Sequence, residues 1–313
     1  MLVLSLLLAW CLAPQAQAQD YIRWVDFGVS YEALDKALTL DIRAQEQDMP
    51  VSWIRLLAIA ACRTGGKVTA ASVDGAWKDC QSGKSEEEFL GGLYRYYAYY
   101  LDAYDAALGG LVGNFAILVE EAGQKVWKST YGLKAFSPIA AGYGYSHYDD
   151  FGNSRSYGFA RKHLGNDLMG ALGTPIVAVE GGTVEAMGWN QYGGWRVGIR
   201  SHDSRRYYYY AHLRKDTPFA PGLQVGDTVQ PGQLIGFMGR TGYSVRENVN
   251  NIETVHLHFG LQLIFDESQK ECNSEIWIDV YPLVRLLSRH RCSYTQDADG
   301  QWQRVYGFRD LDQ

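Results

Sequence analysis

The chain has 313 residues, with 29 Lys and Arg against 35 Asp and Glu for a net charge of -6, and 47% of its residues are hydrophobic. This balance excludes a disordered, collagen-like or coiled-coil chain, and the length suits one large or two modest globular domains. The lack of a basic excess argues against a general binder of nucleic-acid phosphates.

Residues 1–18 carry no charge, residues 2–13 are apolar, and Ala16-Gln17-Ala18 supplies small residues at the end of the run. The pattern predicts a secretory signal cleaved after Ala18, although the Lys or Arg that normally opens such a segment is missing. The run is too short for an ordinary membrane span, and Trp10 before Cys11 is too bulky for a lipid-attachment site. Export would leave Cys62, Cys80, Cys272 and Cys292. Local pairing of Cys62 with Cys80 and of Cys272 with Cys292 is the simplest of three connectivities, with free thiols as the alternative. None has the close spacing of a thiolate zinc site.

From Tyr31 to about Gly113 the apolar residues recur at helical spacing. Leu34, Ala37, Leu38 and Ile42 share one face, and a second helix after Pro50 is opened by Ser52 and stopped by Gly65-Gly66. Ser85 and Glu88 form a capping-box signature ahead of a stripe from Phe89 through Leu93, Tyr97, Tyr104 and Leu108. The tyrosines at positions 94–100 wrap more of this helix than one stripe needs, so part of them is available as contact surface.

After Gly113 the texture changes to short alternating runs punctuated by glycine, following a Gly- and Lys-containing connector around residues 123–132. Segments at Val177, Val184, 195–199, 207–213, 234–238 and 256–263 read as strands of an antiparallel sheet or barrel. Asp279 and Pro282 open one more short helix through Leu287. The expected fold class is therefore α+β, with helices first and an antiparallel sheet after.

Four of the seven histidines fall into three compact motifs in the strand-rich half. His163 and Asp167 flank Gly165, whose missing side chain permits a tight backbone path. His212 ends a strand-like run of four tyrosines. His256 and His258 lie two apart, which on a strand sends both imidazoles to one face. Imidazole and carboxylate donors of this kind suit Zn(II), and a catalytic zinc needs three protein ligands and one open position. A set of five then divides into three ligands and two acid–base residues.

On these motifs, the stretch from about Phe136 to Leu287 resembles the lysostaphin-like, LytM-type family of zinc peptidoglycan endopeptidases. The family pattern is HxGxD, a strand histidine, then HxH, and every member is present. The resemblance implies zinc held by His163, Asp167 and His258, with His212 and His256 as the catalytic pair, the general base of the two being open. It also implies Tyr157, six residues before His163, as a candidate transition-state tyrosine. The expected activity is hydrolysis of peptide bonds in peptidoglycan stem peptides or cross-bridges by a secreted, cell-wall-associated enzyme. The expected organisation is a signal at 1–18, a helical N-terminal domain and connector at 19–128, a peptidase domain at 129–290 and a polar tail at 291–313.

Two other classes compete. Relatives on this fold that have lost ligands serve as non-catalytic wall-binding or regulatory modules, against which the intact five-residue set argues. Residues 225–236 also resemble a lipoyl- or biotinyl-carrier hairpin, but no lysine sits at a suitable turn. His147, with Asp149 and Asp150, reads as a loop histidine beside solvated acids, and His202 and His290 have no partners in sequence. Of Tyr207 to Tyr210, alternate rings are expected to line a groove beside His212 while the other two pack beneath.

Overall fold

The computed structural model of the protein describes residues 21–158, 160–270 and 274–312. The expected signal and Cys272 lie outside the described residues. The architecture is α+β, with helices followed by antiparallel sheets.

Helix α1 spans Tyr31–Glu46 and is capped by Ser30, whose side chain accepts from the Ala33 N–H. Helix α2, Trp53–Thr64, starts at the expected Ser52 cap and ends at Gly65, which takes the left-handed φ of 62° that favours glycine. Helix α3, Ala70–Cys80, was not anticipated; Thr69 and Ser72 cap it reciprocally. Glycine at position 75 and polar residues dilute its apolar period, so the cap was the stronger signal.

The Ser85/Glu88 box does open helix α4, but this helix runs only Glu86–Leu90. Gly91 at φ 55° ends it, a 3₁₀ stretch covers Gly91–Tyr96, and helix α5 begins at Tyr97 and runs to Leu108. The expected single stripe is thus split at a glycine pair. Helix α6 is the short Tyr281–Leu287 helix, with Asp279 accepting from the Tyr281 N–H at 2.9 Å.

The region read as a connector is the second strand of a hairpin. Val112–Glu121 pairs with Gln124–Leu133 through a turn at Ala122-Gly123, both at positive φ, as tight hairpins require. Its exposed lysines disguised the strand. The polar tail returns to the same hairpin as strand Phe308–Asp310, beside the buried Lys134, which bonds Asp310 and Asp312 at 2.8 and 3.0 Å.

The main sheet runs in the order Thr228–Val229, Gly182–Asn190, Gly194–Ser201, Arg206–Ala211, His256–Leu263, Asn166–Gly170, Tyr145–His147. Ile276–Ile278 adds to the second half of the His256 strand. One face of this sheet carries Val197, Ile199, Tyr208, Tyr210, Leu257, Phe259 and Leu261, all fully buried. These join the buried faces of α1, α2, α5 and α6 in one continuous apolar cluster.

Where helices meet sheet, Arg206 is 1% exposed and bonds Glu180 at 2.8 and 3.1 Å and the Asp105 and Ala106 carbonyls of α5 at 3.1 and 3.0 Å. Tyr208 donates to the same Glu180 at 2.6 Å. Burial works against the Arg206 charge, but Glu180 outweighs it and holds the guanidinium protonated.

Cys62, Cys80 and Cys292 are free thiols, so the simple Cys62–Cys80 pairing does not form. Cys62 is packed in the core, where burial pushes its thiol up to about 11 and keeps it unreactive.

Candidate metal centre and cleft

Strand alternation builds the site. Along His256–Leu263, His256 and His258 point away from the core that takes Leu257 and Phe259. His258 pairs in register with Asp167 on one neighbour and with Ala211 on the other. His212 follows Ala211 directly, at φ 62°, a left-handed conformation uncommon for a non-glycine residue.

His163, Asp167 and His258 each offer one donor atom, and all three atoms lie close together. The separations are 2.8 Å from His163 Nε2 to His258 Nδ1, 3.1 Å from His163 Nε2 to Asp167 Oδ1, and 3.3 Å from His258 Nδ1 to Asp167 Oδ1. Tetrahedral zinc with ligands at its usual bond lengths sets them roughly 3.3 Å apart, so the set fits such an ion. Gly165 makes the approach possible: a Cβ there would stand 2.6 Å from the Phe259 carbonyl and 2.9 Å from the His258 ring.

Burial lowers the affinity of His163 for a proton, but the carboxylates of Asp150 and Asp167 outweigh it and push the imidazole up to about 9. Burial raises Asp167, yet hydrogen bonds from His163 and His258 hold it well below the usual carboxylate range. Both shifts favour positive charge among these atoms, as a divalent cation provides. His258 is lowered, first by burial.

Around these donors lies a second layer. His163 Nδ1 is 3.0 Å from the Asp150 carbonyl and 3.2 Å from its carboxylate, and Asp150 Oδ1 accepts from the Asp167 N–H at 3.2 Å. Arg155 donates to Asp150 at 2.7 Å and to Asp167 Oδ2 at 3.0 Å. Asp150 is therefore not the solvated acid expected from sequence. His147 is not in a loop either: it ends a strand, packs on Tyr281 at 4.4 Å, and burial pushes it down to about 4.

His212 and His256 are tied alike. His212 Nδ1–H donates to the Thr241 carbonyl and His256 Nδ1–H to the Thr254 carbonyl, each at 2.9 Å. Each ring's Nε2 is left for other work. The two rings are 4.7 Å apart, and His256 Nε2 is 3.8 Å from Asp167 Oδ1. Burial holds His212 well below its ordinary value. All five residues line one cleft of about 530 Å³.

Residues 161–271 match Peptidase family M23. The chain carries an M23 peptidase domain. It is 33% identical over 208 residues to the L-Ala–D-Glu endopeptidase of Bacillus subtilis, covering 66% of this chain and 57% of that protein. It is 37% identical over 98 residues to lysostaphin of Staphylococcus simulans, covering 31% of this chain and 17% of that one. The solved catalytic domain of lysostaphin from the same species is 28% identical, covers 45% of this chain and 92% of its own, and has a TM-score of 0.34. The chain thus spans little more than half the length of the Bacillus relative and far less of lysostaphin. The LytM-type resemblance read from the histidine motifs is borne out.

Within the M23 cleft Tyr207 and Tyr209 are lining residues, while Tyr208 and Tyr210 are fully buried beneath, as the alternation predicts. Tyr157 stands one ring away from the histidines: it stacks on Tyr243 at 4.7 Å, and Tyr243 meets His212 edge-on at 6.0 Å. Sequence reasoning missed Asp150, Arg155, Tyr243 and the two threonine carbonyls. A carboxylate thirteen residues before His163 gives no local spacing cue, and a backbone carbonyl gives none at all.

Proposed function

We propose that this protein is a secreted zinc-dependent endopeptidase that hydrolyses peptide bonds in peptidoglycan stem peptides or cross-bridges. The observation that carries the proposal is the convergence of three donor atoms beside two imidazoles, each with Nδ1 bonded to a backbone carbonyl. The catalytic unit is assigned to the sheet region within residues 129–290, after the helices that end at Leu108 and the hairpin of residues 112–133, and residues 1–18 are assigned to export. Support for a wall peptide as substrate comes from relatives named an L-Ala–D-Glu endopeptidase and a peptidoglycan DD-endopeptidase. No helix among the described residues is long and apolar enough to cross a membrane.

His163, Asp167 and His258 would hold the zinc. Bound there, zinc supplies Lewis acidity for the scissile carbonyl and lowers the pKa of water toward neutrality. His212 and His256 handle the protons: the Nε2 of one accepts a proton from the attacking water and, as the imidazolium, passes that proton to the leaving amine, while the other donates to the developing oxyanion when it is itself protonated. The carbonyls of Thr241 and Thr254 keep both neutral rings in the Nδ1–H tautomer, which leaves the Nε2 lone pair free to accept a proton. Tyr157 is proposed to assist through the Tyr243 side of the cleft.

Mass spectrometry of fragments from defined cross-linked muropeptides tests reaction, metal and bond together. Chelation is expected to abolish cleavage and added zinc to restore it, while His256→Ala lowers kcat by about 100-fold or more with zinc retained. Cleavage that survives chelation, or wild-type rates in His256→Ala, overturns the proposal. A non-catalytic module on this fold would release no fragments at all.

A further inference from the structure

The cleft extends from the histidines across the sheet, and five basic side chains line it against three acidic ones. Among the five, Arg155 and Lys270 are ion-paired, and Arg161 donates to the Tyr157 carbonyl. Arg155 is held by Asp150 and Asp167. Lys270 is held by Glu185, which also pairs with Arg200, a residue of the strand Gly194–Ser201 outside the cleft lining that is bonded to Glu267 as well.

Arg196 differs from these. It lies four residues before Arg200 on the same strand and the same face, lines the cleft, and forms no ion pair among the described residues. Its Nε is buried without a hydrogen-bond partner. Its neighbours are tyrosines rather than carboxylates: the guanidinium donates to the Tyr207 hydroxyl, and the Tyr209 ring lies 6.0 Å from it. A buried donor on a permanently charged group is unfavourable until an acceptor arrives, and a planar guanidinium matches a carboxylate best.

The sheet register fixes where such an acceptor would sit. His258 pairs with Ala211, on the neighbouring strand, and the strand carrying Arg196 is the next one over. Two strand spacings are about 10 Å, or one to three residues of extended peptide once the reach of the arginine is included. An acidic group there lies beside the bond held at the histidines.

We propose that Arg196 is a specificity-determining residue that binds a free carboxylate of the substrate, so that the cleft takes an acidic stem peptide in preference to a neutral glycine bridge. The inference rests on the endopeptidase reading for the place of the scissile bond, but the recognition it describes is a binding event. The flanking Tyr207 and Tyr209 rings limit water access to the pair and strengthen it.

The test uses the full chain as His256→Ala, loaded with zinc, titrated calorimetrically with three probes. These are a synthetic stem peptide with a free α-carboxylate on its glutamyl residue, the same peptide with that group as the carboxamide, and pentaglycine. The acid is expected to bind about 10- to 100-fold more tightly than the amide or pentaglycine. Arg196→Gln in the same background is expected to bring that ratio close to one, and Arg196→Lys to keep part of it. Equal binding of acid and amide before any change at Arg196 overturns the inference, whether or not the variants fold. A ratio unchanged in a folded Arg196→Gln overturns it too. Turnover of the same peptides by the wild type separates the two readings: discrimination in binding without any cleavage sinks the endopeptidase reading alone, and cleavage without discrimination sinks this one alone.

Discussion

Gly165, Asp150 and His163 illustrate how single side chains set the donor cluster. A methyl group at Gly165 would collide with the Phe259 carbonyl, which belongs to a central strand and has no room to retreat. Asp150 touches no other donor directly except through His163 and the Asp167 backbone, yet it fixes the orientation of that ring from behind. Outer carboxylates of this kind contribute about 10- to 100-fold in metal affinity. Asp150→Asn is accordingly expected to weaken zinc binding by that factor while leaving the melting transition of the metal-free protein nearly in place. Competition against a chromophoric chelator measures it; unchanged affinity would mean that Arg155 and the Asp150 carbonyl suffice. The HxGxD and HxH spacings made His163, Gly165, Asp167, His256 and His258 legible, because a period of two or four already says which side chains share a face. Asp150 was not legible. Its partner lies across a loop, and nothing in the spacing from Asp150 to His163 distinguishes a bound carboxylate from a solvated one.

At the scale of elements, the junction between α5 and the sheet depends on one buried cation. Arg206 satisfies two carbonyls at the end of α5 while its other nitrogens engage Glu180 and Asp203. Removing it leaves Glu180 charged and buried, since the Tyr208 hydroxyl alone cannot balance it. Arg206→Met is expected to cost about 3–5 kcal/mol in denaturant unfolding, and the double change with Glu180→Gln distinctly less. Additive costs in the two single variants would contradict a shared buried pair. Helix starts at Ser52 and Ser85 were readable because a side-chain oxygen three residues before an amide is a local signal. The interruption at Gly91 was harder to read, since an apolar stripe continues on both sides of it and only the backbone angle shows the break.

Across the whole molecule, helices and sheet bury their apolar faces against each other in one cluster, with α6 packing beside α1. A shared core couples the two regions in unfolding. Fluorescence from Trp53 in α2 and from Trp195 in the sheet, each followed in a variant lacking the other tryptophans, is expected to report coincident transitions in zinc-free protein. Two separated midpoints would show that the helical region melts independently.

The sequence by itself determined what local chemistry encodes: helix caps, the alternation that sends Tyr208 and Tyr210 inward and His256 and His258 outward, and a donor set of the right kinds. Tertiary structure alone decided which of those groups meet. His163 and His258 are 95 residues apart in the chain and 2.8 Å apart in space, and sheet register, a long-range property with no local signature, brings them together. The same register leaves Arg196 facing the cleft without an acidic partner among the described residues, while Arg200, two repeats of the pleat further on, is paired with Glu185 and Glu267.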